Sequence, residues 1–122
     1  MSYHDDLELA QKFIRKRQNA VDRGIKFSLT LQSMKNLMRA KRCYYTGFLL
    51  TDPRPHGPLR ATDRTIDRVD ASKGYEPGNV VACCHAANQL KSMCEGGGLQ
   101  GYQIGAKVLT KAVKRIQGGK HA

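Results

Sequence analysis

The chain has 122 residues, 40% of them hydrophobic, and carries 21 Lys/Arg against 10 Asp/Glu for a net charge of +11. That length suits one compact domain. No apolar run approaches the ~18 residues of a membrane span, and four cysteines (Cys43, Cys83, Cys84, Cys94), two of them adjacent, are too few for a disulfide scaffold.

The first residues include Asp5, Asp6 and Glu8 rather than a basic-then-apolar leader, so a cytoplasmic location is expected, with cysteines as thiols or metal ligands. Residues 5–22 are predicted as a helix. Leu7, Leu9, Ala10, Phe13, Ile14 and Val21 supply its apolar face, acids occupy its first turn, and Gly24 follows its end. Thr30 is positioned to cap a second helix over 31–40, with Leu31, Met34, Leu37 and Met38 as its buried stripe. Residues 43–50 (CYYTGFLL) have the pattern of a hairpin turning at Thr46-Gly47, and the proline-rich stretch 51–63 that of a loop. Short strands are expected at Thr65–Val69 and Val80–Ala82, separated by the turn-rich ASKGYEPG. A helix over 84–94 carries Ala87, Leu90 and Met93. Gly96-Gly97-Gly98 reads as a hinge before a last helix, about 99–117, with Ile104, Val108, Leu109, Val113 and Ile116 on one side.

Charge is distributed unevenly along these elements. Residues 11–42 hold ten Lys/Arg and one acid, residues 99–122 five Lys/Arg and none, and residues 43–98 six of each. Basic flanks of that density attract phosphate backbones, which points to nucleic acid, with Lys12, Arg15, Lys16, Lys107 and Lys111 among the contacts; a basic surface that only keeps the protein soluble is the plainer alternative.

The neutral centre holds the residues suited to chemistry. Asp67 on the first strand and Asn88 on the following helix are hard oxygen donors of the kind Mg²⁺ or Mn²⁺ prefers, although a strand-end turn and a helix-surface polar group are ordinary roles for the same residue types. Their order within IDRVDASKGYEPGNVVACCHAANQLKS, together with the upstream DRGIKFSLTLQSMKNLM and CYYTG, resembles the HNH endonuclease family over about residues 20–92, particularly its small, often phage-encoded members. The resemblance implies an α+β fold with a small ββα-metal (treble-clef-like) core over 43–95. Around it lie a basic helical extension, 1–42, and a basic C-terminal helix, 96–122, all in one compact domain.

The same resemblance makes Asp67 and Asn88 the ligands of a divalent ion, Mg²⁺ or Mn²⁺, makes Asn79 the residue that ties the loop between the strands to the backbone, and makes Lys91 a phosphate contact. The position after the metal-binding acid is usually a general-base His, and here it is Arg68. An arginine stays protonated and cannot take a proton from water, but it can steady a phosphate. His85, one turn before Asn88, and His56, on the proline-rich loop, are the candidate bases; a surface residue is the plainer account of each. Of the two CxxC knuckles that hold zinc in many relatives, only the first cysteines, Cys43 and Cys84, remain, so structural Zn²⁺ is not expected and the two are read as remnants packed together. Arg60, Arg64 and Lys73 are positioned to hold flanking phosphates.

Two functions follow. The first is a metal-dependent endonuclease that nicks or cuts DNA, duplex above all. The second is an HNH-fold module that binds DNA or a host protein after catalysis was lost, as the missing base and half-erased knuckles suggest. A homodimer is left open, no membrane or small-molecule substrate is expected, and a phage-encoded protein would act in the bacterial host cytoplasm.

Overall fold

In a computed structural model, residues 6–119 are described; Asp5, the first residue of the predicted N-terminal helix, and residues 120–122 lie outside them. The elements are α1 (Asp6–Asp22), α2 (Leu31–Arg39), β1 (Arg64–Arg68), β2 (Val80–Cys84), α3 (His85–Glu95) and α4 (Gly98–Gly119). The protein is α+β: four helices with a single antiparallel ribbon, β1 pairing β2. The chain divides into two compact units between Asn88 and Gln89.

The first unit is built around the ribbon. Thr30 caps α2 as predicted, its hydroxyl accepting from the Ser33 N–H at 3.1 Å. Met34 and Met38 of α2 bury with Leu9 of α1 against Ile66 of β1, while Ala20, Leu29 and Tyr75 form a neighbouring cluster under Phe13 and Phe27. Three expected members of the α1 face are exposed instead: Leu7, Ile14 and Val21. The cause is the 100° step of the helix. Positions 9, 13 and 20 share one side, and 7, 14 and 21, seven apart, share the other. Leu31 likewise sits at the margin of the α2 stripe, and Leu37 is half-buried.

The hairpin expected over 43–50 is present as an Arg42–Leu49 bridge, closed by the Cys43 N–H to Phe48 carbonyl bond at 2.8 Å and by Gly47 N–H to Cys43 at 2.9 Å. The proline-rich loop that follows is tied at its base by a Thr51–Asp63 bridge. Asp63 is the knot: fully buried, it accepts from the Arg60 backbone N–H, the Arg60 guanidinium and the Thr51 hydroxyl. Those hydrogen bonds, led by the Arg60 backbone N–H, outweigh burial and hold its carboxyl at about 2. Gly74 is needed where the β1–β2 loop meets residues 26–28, because a Cβ there would lie 2.5 Å from the Lys26 carbonyl oxygen.

The second unit is a helical hairpin of the end of α3 and α4. Glycines at 97, 101 and 105, four apart, present a surface without side chains to Cys94, and a Cβ at Gly101 would overlap the Cys94 carbonyl oxygen. The predicted glycine hinge thus extends into a close-packing face. Leu90 and Met93 of α3 are exposed, as are Ile104, Val108, Leu109, Val113 and Ile116 of α4.

Candidate functional site

Side chains alternate along β1, so Thr65 and Asp67 share one face of the ribbon, and Arg64, Ile66 and Arg68 the other. The register sets Thr65 opposite Cys83 and Asp67 opposite Val81. Asn88, at the end of the first turn of α3, donates from Nδ2 to Thr65 Oγ1 at 3.3 Å, and Thr65 Oγ1 donates to the Cys83 carbonyl at 3.0 Å. That chain of bonds holds Asn88 over the face that carries Asp67. The Tyr45 hydroxyl, from the 43–50 hairpin, donates to Asp67 Oδ2 at 2.7 Å. The two predicted oxygen ligands are therefore brought to one side of the sheet, and Tyr45 and Thr65 join them. Neither was among the expected site residues; for Thr65 the signal is its place two residues before Asp67 on a strand, while for Tyr45 the sequence offers none.

Behind the site, Asn79 bonds to the backbone of the β1–β2 loop. It is 8% exposed; its Oδ1 accepts from the Asp70 N–H at 3.0 Å, and its Nδ2 donates to the carbonyls of Asp70 (3.1 Å) and Gly74 (2.9 Å). These bonds tie Asp70 and Gly74, within the β1–β2 loop, to Asn79 at its end.

Several predicted contacts are placed elsewhere. Arg68 leaves the opposite face of β1 from Asp67, donating to the carbonyls of Ala71 and Lys73 at 3.0 Å and lying 5.2 Å from the centre of the Tyr75 ring. It braces the loop rather than flanking Asp67, because consecutive strand residues cannot share a face. Arg64, with a side chain only 7% exposed, donates to the carbonyls of Leu37 and Ala40 at the end of α2 and pairs with Asp52 at 3.3 Å, so its guanidinium ties α2 to β1. Arg60 is bound to Asp63 and to the Asp52 carbonyl. Lys73 is exposed. His85 opens α3, its backbone N–H bonded to the Asp63 carbonyl at 2.8 Å, with its side chain half-buried; His56 is exposed. In the second unit Lys91 lies 4.0 Å from Glu95 and near the Tyr102 ring, and Lys107 and Lys111 line a shallow groove of α4 with Lys114.

Lys12, Arg15 and Lys16 line an open cleft of 480 Å³ in the first unit, together with Asn19, Arg23, Met34, Met38, Pro53 and residues 64–66 of β1. No acid lines it.

Cys43 and Cys84 pack together, joined by Cys83, all three buried as free thiols. Burial pushes the Cys43 thiol up, but hydrogen bonds from the Thr46 hydroxyl and from the backbone N–H groups of Cys84, Thr46 and Tyr45 outweigh it and hold it at about 7. Burial and the nearby Asp67 charge push Cys83 up to about 11 against a hydrogen bond with Thr65. Among the described residues no three His, Cys, Asp or Glu side chains converge as a metal cage. Asp67 and Asn88 remain as a two-oxygen donor set of the kind a hydrated Mg²⁺ or Mn²⁺ accepts.

The chain is 28% identical over 83 residues, 68% of its length, to an uncharacterized protein of Acanthamoeba polyphaga mimivirus, of which it spans 14%. No protein-family model and no solved structure matches it. No helix among the described residues is long and apolar enough to cross a membrane.

Proposed function

We propose that this protein is an HNH-type, metal-dependent phosphodiesterase acting on DNA, with the ribbon and the start of α3 as a ββα-metal core. What supports the reading is the Asn88–Thr65 bond, which sets Asn88 beside the ribbon face that Thr65 shares with Asp67, 21 positions away, backed by the Asn79 brace. Asp67 supplies a carboxylate oxygen and Asn88 its amide oxygen, its Nδ2 being occupied by Thr65. Bound there, Mg²⁺ or Mn²⁺ would polarise the phosphate and lower the pKa of an attacking water. Tyr45 holds the Asp67 carboxylate in orientation through Oδ2. His85, one turn before Asn88 on α3, is the candidate to take the water proton. Arg68, committed to loop carbonyls, keeps the strand end in register rather than touching the scissile group.

The test is plasmid cleavage with Mg²⁺, with Mn²⁺ and with EDTA, with Asp67→Ala alongside. Nicking that needs both the ion and Asp67 is the expected result. General-base assistance is typically worth about 10²–10⁴-fold, so slow turnover follows if His85 acts weakly. Absence of cleavage with either ion, alongside retained DNA binding, favours a binding module. The observation on that side is that the residue after Asp67 cannot act as a base and faces away from it.

A further inference from the structure

The acid-free cleft between α1 and β1 is not used by the proposed hydrolysis. Its walls carry Lys12, Arg15, Lys16 and Arg23, and its apolar floor is half-buried Ile66 and Pro53 over the buried Met34 and Met38, with Asn19 and Thr65 as polar neighbours. Arg64 also lines it but is paired with Asp52. Four cations around one concavity repel one another, and an anion that enters relieves that repulsion. The apolar floor asks for more than an ion: a ligand with negative charge at its edge and a flat or apolar body. Its 480 Å³ is within the ordinary range for a small organic unit. A duplex presents phosphates on a convex surface with its bases stacked inside, so it could touch the rim but not the floor. A single strand can turn a base inward while its phosphates stay on the cations, the combination that strand-binding grooves use.

The position of the cleft sharpens this. Ile66 turns its side chain to the cleft, while Thr65 and Asp67 turn theirs to the other face of β1. A strand leaving the cleft therefore needs to cross only the width of β1 to bring a phosphate to Asp67.

We propose that the α1–β1 cleft binds a single-stranded nucleic-acid segment, a base against half-buried Ile66 and Pro53 and phosphates on Lys12, Arg15, Lys16 and Arg23. Joined to the phosphodiesterase reading, on which this last step rests, it makes the substrate a DNA with an unpaired segment beside the scissile bond, such as a flap or a frayed end.

Binding tests this without hydrolysis: fluorescence anisotropy of a fluorescein-labelled dT12 and of a 12-base-pair duplex, in EDTA, across a salt series. The dT12 strand binds more tightly than the duplex, and Lys12→Ala/Arg15→Ala weakens it roughly tenfold. The same pair lowers the slope of log affinity against log salt by about 1.4, at 0.7 for each lost single-strand phosphate contact. Lys12→Arg/Arg15→Lys keeps both, and Arg23→Ala repeats the loss in part, so a folding defect in one variant does not decide the matter. Duplex binding as tight as dT12 binding, or an unchanged slope in the alanine pair, overturns the cleft assignment. Asp67→Ala leaves dT12 binding intact, so absent cleavage with dT12 binding as described removes the phosphodiesterase and keeps the cleft. Cleavage with dT12 binding indifferent to Lys12 and Arg15 does the reverse.

Discussion

Asn79 offers the sharpest test of how the site is held. Replacing it by Ala removes three hydrogen bonds to backbone groups: the Asp70 N–H, the Asp70 carbonyl and the Gly74 carbonyl. An intramolecular hydrogen bond contributes about 0.5–1.5 kcal/mol net, and a buried group left without a partner costs about 1–3 kcal/mol. Asn79 is 8% exposed, so water can reach part of the space, which places the total at roughly 2–4 kcal/mol. Urea unfolding followed by far-UV circular dichroism reads this directly. With a slope of about 2 kcal/mol per molar, mid-range for small proteins, the midpoint falls by about 1–2 M. Asn79→Asp separates shape from polarity. It keeps the volume and the acceptor for the Asp70 N–H, but sets a carboxylate against two carbonyl oxygens that now receive Nδ2. It is expected to destabilise at least as much as Ala at neutral pH and to recover in part when acid protonates it. A loss below about 0.5 kcal/mol for the Ala variant, the range of ordinary surface substitutions, would refute the brace.

The remaining predictions concern pH and the second unit. Asp63 is held at about 2 in the fold against an ordinary 3.8, so its contribution is fully present above that ordinary value and is lost as pH falls through about 2; a thermal-unfolding series across pH 2–5 shows the drop, and Asp63→Asn flattens it. Cys43, lowered from 9.0 to about 7, adds stability as pH rises from 7 to 9, and Cys83, raised from 9.0 to about 11, removes stability between 9 and 11; Cys43→Ala abolishes the rise and, by removing one charge that pushes Cys83 up, softens the fall. Gly101→Ala forces a methyl into the Cys94 carbonyl, an overpacking worth about 1–3 kcal/mol, and should speed trypsin cleavage at Lys107 and Lys111 roughly tenfold or more; unchanged cleavage would mean the helices do not depend on that contact.

Local chemistry accounts for what could be read in advance. The Thr30 cap, the 3.6-residue pattern of α2, the glycine turn after Cys43 and the two β-branched runs each specify their own conformation within a few residues. For that reason α1, α2, β1, β2, α3 and α4 stand within one or two residues of where the sequence puts them. The strand period also fixes that Asp67 and Arg68 face opposite ways, although the resemblance suggested a shared task. Tertiary structure decided the rest, because it sets contacts between residues that no local rule relates. The Tyr45 hydroxyl meets Asp67 across 22 positions, and the Arg64 guanidinium is drawn off the surface by carbonyls 24 and 27 residues away. It also chose which of two apolar stripes of α1 to bury: both are consistent with a helix, but only Leu9, Phe13 and Ala20 find partners in α2, β1 and the residue 25–29 segment, leaving Leu7, Ile14 and Val21 exposed. Composition could announce a basic protein; only the packing of α1 beside β1 turned four of those charges into a cleft.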